Sequence, residues 1–157
     1  MTKLSSLSIL YLSILAILII ALGFLRLFFF ENINLHLQFI YYDLERSYMA
    51  ESLDFLRSFT YDELYEIKWA LTILFSLIYL LFTCLVIKLL FNVRKYTLWT
   101  IYIFAAIIFT SFVLFTSGYL INQDAIGYRL ARICMGVVQS PLPLMILIPA
   151  FMLSEKR

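Results

Sequence analysis

Residues 7–30 read LSILYLSILAILIIALGFLRLFFF, and only Ser8, Ser13, Gly23 and Arg26 interrupt the apolar run. A helix needs about 20 such residues to cross the hydrocarbon of a bilayer. A signal-peptide core is shorter, about 7–15 residues, and a small-residue cleavage site follows it. This run is longer and lacks such a site, so the sequence predicts a retained spanning helix. Arg26 lies near its end, where a long side chain can carry its charge to the interface. The composition of the chain agrees with a lipid surrounding. Of 157 residues, 64% are hydrophobic and 14% charged. A soluble domain is about half apolar and about a quarter charged. The net charge of +2, with no clustered basic face, argues against a nucleic-acid partner. The chain carries 11 tyrosines and two tryptophans, residues that favour membrane interfaces because the ring is apolar and its tip polar.

Outward from that run, residues 31–68 hold eight acids and three bases, a net charge of −5. Leu44, Tyr48, Phe55 and Phe59 recur at helical spacing among them, which predicts an amphipathic interfacial helix. Thr60 and Glu63 have the spacing of a capping box, and Phe59 and Leu64 that of a hydrophobic staple, so a helix is predicted to open at Thr60. Asp62, Glu63 and Glu66 crowd its first turns, where the helix dipole favours acids. It passes Lys68 and Trp69 at the interface and enters lipid as ALTILFSLIYLLFTCLVIKLLF, residues 70–91. A short basic connection, 92–96, leads to a third span at 97–119, ended by Gly118 and Asn122-Gln123-Asp124. A fourth span is expected at 130–153, followed by the charged tail 154–157. The expected fold is therefore an all-α integral membrane protein, a single membrane domain of four transmembrane helices (7–30, 69–91, 97–119 and 130–153). The acidic outer segment 31–68, with its interfacial helix, lies between the first and second. Four spans put both termini on one side, together with Lys3, Arg94, Lys95, Lys156 and Arg157. The positive-inside rule makes that side cytoplasmic, although Arg46, Arg57, Arg129 and Arg132 fall on the other.

Candidate chemistry is sparse. The sequence has no HExxH, no GxSxG and no phosphate-binding glycine loop, so no enzyme activity and no cofactor is expected. Cys84 and Cys134 read as small buried hydrophobes, and the lone His36 has no ligands spaced to share a metal with it. The central parts of the spans carry no Asp, Glu, Lys or Arg, and no internal repeat is visible, which weighs against an ion path. Polar features gather instead near the C-terminus. Arg129 and Arg132, three apart, share a helix face where the fourth span begins. They suit snorkelling or pairing with Glu66 or Asp124, or else a partner's carboxylate or an anionic lipid. In QSPLPLMILIPAF, residues 139–151, Gln139 needs a hydrogen-bond partner, on another helix of this chain or on a helix of another protein. Pro141 and Pro143 are predicted to kink the helix, with Gln139 and Ser140 serving part of the freed backbone.

The segment YRLARICMGVVQSPLPLMILIPAF, Tyr128–Phe151, resembles the closing segment of the exosortase F system-associated small membrane proteins of Bacteroidota. LRLFFFE, Leu25–Glu31, is similar to that family's arginine–aromatic–glutamate end of the first helix. The chain departs from the family pattern at Leu44, at Ile67-Lys68-Trp69 and at the inserted Ser140. The resemblance implies a non-catalytic companion of an exosortase in the bacterial inner membrane. The expected function is thus a non-enzymatic accessory or assembly subunit, with the lipid bilayer and another integral membrane protein as partners. Its contact candidates are Arg26, Glu31, Trp69, Arg129, Arg132, Gln139, Ser140 and Pro141. A small channel or transporter subunit, or a lipid-binding membrane protein, is the alternative expectation.

Overall fold

A computed structural model describes residues 6–155. Lys3 and the tail cations Lys156 and Arg157, used above for orientation, lie outside the described residues. The elements in order are α1 (Ser6–Tyr41), a short 3-10 helix (Glu51–Ser58), α2 (Tyr61–Phe91), α3 (Arg94–Leu120), α4 (Asp124–Val138) and α5 (Leu142–Glu155). Among the described residues there is no strand. Three helices, α1, α2 and α3, are long and apolar enough to cross a membrane. A fourth crossing is present if the bent pair α4–α5 counts as one span. Within these helices several hydroxyls bond their own backbone one turn back. Ser13 donates to the Ile9 carbonyl at 3.0 Å, Thr72 to Lys68 at 2.8 Å and Thr110 to Ala106 at 2.8 Å, so they place no unpaired polar group in lipid.

The chain forms two compact units, and α1 and α2 each contribute to both. The first to be described is Ala21–Phe75. Here α1 does not stop at Phe30 but stays helical to Tyr41, since no proline or glycine intervenes. Its 36 residues rise about 54 Å, well past a hydrocarbon layer of about 30 Å. Of the amphipathic interfacial helix expected in 31–68, only the short 3-10 helix Glu51–Ser58 is present between α1 and α2. Residues 44–50 form a strap without regular secondary structure, extended at Ala50, and the 3-10 helix follows, with a kink at Leu53 (φ −112°, ψ 19°). The apolar spacing is accordingly three rather than 3.6: Leu53, Leu56 and Phe59 face the core. Of the stripe read from the sequence, Leu44, Tyr48 and Phe55 are exposed. The core comprises Ile33, Leu37, Met49, Leu53, Leu56 and Leu64. Two side chains one turn apart on α1 hold the strap. Asn32 Oδ1 accepts the Ala50 N–H at 2.7 Å, and His36 Nδ1 lies 3.0 Å from Ser47 Oγ.

The start of α2 follows the sequence expectation. The Thr60 N–H donates to Glu63 Oε2 at 2.7 Å, and the Glu63 N–H returns to Thr60 Oγ1 at 3.5 Å. The bond from the Thr60 backbone, then that from its hydroxyl, holds the Glu63 carboxyl below its usual pKa. Leu64 is fully buried with Phe59 packed against the same cluster, as a hydrophobic staple requires.

In the other unit the Tyr79 hydroxyl of α2 donates to the Ile19 carbonyl of α1 at 3.4 Å. α4 runs back antiparallel along α3. Their backbones approach so closely that a Cβ on Gly118 would lie 2.5 Å from Gly127 Cα, and one on Gly127 2.6 Å from Gly118 Cα. One level further along, Ser111 Oγ donates to the Ala131 carbonyl at 3.0 Å. Gly118, expected to end the third span, is therefore a buried packing residue inside α3. The helix ends at Leu120, just before the expected polar stretch Asn122-Gln123-Asp124; Asn122 lies in the left-handed region (φ 54°), and the Gln123 N–H reaches the Gly118 carbonyl at 2.9 Å. At the far end, Leu147 and Phe151 of α5 pack with Ile87 and Phe91 of α2, and the Tyr96 ring stacks on Phe151 at 4.6 Å.

Candidate functional site

Gln139, Ser140 and Pro141, singled out in the sequence, lie at the break between α4 and α5. The two helices are bent by 58° there. Pro141 sits in the break and its carbonyl accepts the Met145 N–H at 3.1 Å, opening α5. Pro143, expected to kink the helix, lies in the first turn of α5, where no intrahelical donor is needed. The bend thus belongs to residues 139–141, and Pro143 is buried without causing it.

Ser140 serves both sides of the break with one hydroxyl. It donates to the Val137 carbonyl at 2.8 Å and accepts the Leu142 N–H at 3.3 Å. Gln139 closes α4, its N–H donating to the Met135 carbonyl at 3.0 Å. Its side chain turns inward and is buried, and Nε2 donates to Ser76 Oγ of α2 at 3.0 Å. The partner that Gln139 requires is therefore within the chain. Ser76 escaped the sequence reading because it lies 63 residues away, in a span where serine is unremarkable. Its one legible signal is that it is a small polar side chain in the apolar run 70–91.

Arg129 and Arg132 lie on α4 and are both exposed, while Gly127, Ala131 and Val138 on the same helix are buried. Neither arginine pairs with a described side chain, and Glu66, offered above as a partner, pairs with none of them either. The side chain of Asp124, the other acid offered, lies outside the described ones. The remaining candidates belong to the unit Ala21–Phe75. The Arg26 guanidinium lies 5.3 Å from the Phe30 ring centroid, one turn on. Glu31 is exposed, and Trp69 meets Tyr65 edge-on at 6.5 Å.

Chemically, the break offers amide and hydroxyl groups that bind and orient, but none that titrates near neutrality. Among the described residues no three His, Cys, Asp or Glu side chains converge as metal ligands. Compared with protein-family models, curated proteins and solved structures, the chain matches none of them.

Proposed function

We propose that this chain is a four-span protein of the bacterial inner membrane, with both termini in the cytoplasm. It serves as a non-enzymatic accessory subunit of a membrane complex, the companion of an exosortase-type sorting enzyme. The bent pair α4–α5 is read as one crossing, since neither half alone, at about 22 and 21 Å, spans a hydrocarbon layer of about 30 Å. The orientation is read from Arg94 and Lys95. They stand in the first turn of α3, where the helix dipole disfavours cations, and the positive-inside rule accounts for them there. The strap and 3-10 helix then belong to the outer face, at the headgroup level or above it.

The observation that carries the reading is the pair Arg129 and Arg132, exposed on one helix and unpaired with described side chains. Two guanidiniums at a membrane interface call for anions, and their planar forks suit a carboxylate of another protein or a lipid phosphate. Co-purification in mild detergent from the native membrane tests this. The expected result is one integral membrane protein retained by the wild type and lost from Arg129→Ala/Arg132→Ala. A chain that runs alone, or that loses only anionic lipid on this change, overturns the companion role in favour of lipid binding.

A further inference from the structure

Five rings form a continuous ladder on the unit Ala21–Phe75. Successive centroids are 4.9 Å apart from Tyr42 to Tyr41, 6.2 Å to Tyr61, 6.4 Å to Tyr65 and 6.5 Å to Trp69. Tyr41 and Tyr42 are about two-thirds exposed (69% and 66%), and Tyr61 and Trp69 are open as well. On α2 the ladder residues recur every fourth position, and Asp62 and Glu66 follow two of them directly. Rings and carboxylates therefore share one exposed arc of the helix, opposite buried Leu64. At the tip, Asp43 follows Tyr42 and is exposed too. The side chains of Asp43, Asp62 and Glu66 make no hydrogen bond or ion pair with any described residue.

An interfacial aromatic belt accounts for only part of this ladder. From Phe30, where the apolar run ends, to Tyr41 the helix rises about 16 Å. The headgroup layer on one side is about 5–8 Å thick. Trp69 fits a belt, whereas Tyr41, Tyr42 and Tyr61 stand beyond it. A neutral sugar would stack on the rings and donate hydroxyls to the carboxylates, but would leave their negative charge unanswered. A cation uses both, and the ladder already holds one. The Lys68 ammonium lies 5.9 Å from the Tyr65 centroid while donating to Asn34 Oδ1 at 2.7 Å.

We propose that this acid-flanked aromatic ladder is a docking surface for a cationic, lysine- or arginine-bearing segment of another protein, each cation lying over a ring beside a carboxylate. The net −5 of residues 31–68 steers such a segment toward it. The inference goes beyond the companion role and does not require it.

The chain has two tryptophans, so Trp99→Phe leaves Trp69, itself a ladder residue, as the only one. The purified Trp99→Phe protein in neutral detergent is titrated with a hepta-arginine peptide while Trp69 fluorescence is read. A saturable change is expected, with the Kd raised about fivefold or more in Tyr61→Leu/Tyr65→Leu. A comparable rise is expected in Asp62→Asn/Glu66→Gln, whose exposed, unbonded side chains leave the fold unaltered. No saturable change overturns the proposal. So does a Kd that survives loss of the rings, which marks charge attraction alone. A response to neutral oligosaccharide, or to lipid vesicles, in place of the peptide assigns the ladder to a glycan or to the membrane surface and also overturns it.

Discussion

Gln139 and Ser140 stand side by side, yet they hold different things. Gln139 joins one side chain to another across helices, to Ser76. Ser140 holds two backbone groups that the break would otherwise leave open, the Val137 carbonyl and the Leu142 N–H. Side-chain bonds between membrane helices contribute about 0.6 kcal/mol on average and up to about 1.7, because the separated partners find substitutes. Ser76 has such a substitute within reach, since a helical serine can turn back to its own backbone. Orphaned backbone groups have no substitute where water is absent, and each costs about 1–3 kcal/mol. Ser140→Ala is therefore expected to destabilise more than Gln139→Leu, by about 1–3 kcal/mol against about 0.6–1.7. Unfolding of the two variants in mild detergent checks the order, and Ser140→Thr, which keeps the hydroxyl, should restore most of the loss. The sequence singled out Gln139 because a lone amide in an apolar run is conspicuous. It could not weigh Ser140 above it, because the value of that hydroxyl depends on the geometry of the break.

Among the elements, α3 and α4 show how a chain with four glycines spends two of them. None of the glycines has a positive φ; Asp43, Asn92 and Asn122 take that backbone conformation at the ends of α1, α2 and α3. Gly118 and Gly127 instead let two helices touch backbone to backbone. Gly118→Ala or Gly127→Ala puts a methyl against a backbone that cannot move aside, and the expected cost is about 1–3 kcal/mol of overpacking. Parting the helices also strains the Ser111–Ala131 bond. Gly136 is the internal control. A Cβ there meets nothing within 4 Å, so Gly136→Ala is expected to be neutral or to stabilise by about 0.5–1 kcal/mol through helix propensity. Thermal unfolding of the three variants checks the pattern, and equal losses at all three positions would refute the packing role. The element signals legible in sequence were the local ones. The start of α2 needed only residues 59–64, and its box and staple formed as read. Close approach of Gly118 to Gly127 depends on the path of the connecting turn. The strap and 3-10 helix depend on how far α1 continues past its apolar run, which hydropathy alone does not limit.

In the whole molecule, the two units have separate cores, and only Ala21–Phe75 packs a titratable group of near-neutral pKa into its own. His36 is 2% exposed and stacks on Phe39 at 5.5 Å; its Nε2 is buried without a partner. Burial, and then the charge of Arg57, hold its imidazole below the usual value of 6.5. Arg57 itself is paired at 3.0 Å with Asp54 on the exposed side of the 3-10 helix. The unfolded segment takes up a proton near 6.5 and the folded one only at lower pH. The stabilisation is thus complete above about pH 6.5 and is lost as pH falls through the folded value. Protonation would place a charge where the ring's one hydrogen-bond partner is the Ser47 hydroxyl and the nearby Arg57 charge repels it, so the strap that Asn32 and His36 hold should open first. Amide exchange followed from pH 7.5 to 5 is expected to show faster exchange at Ala50 and over Leu53–Ser58, relative to the intrinsic pH trend. The α3–α4 pair, which buries no such group, should stay protected. His36→Gln keeps a polar side chain near Ser47 but removes the titration, and it should flatten the pH response of the strap. A response that persists in His36→Gln, or that appears equally in α3 and α4, would assign the pH sensitivity to some other group.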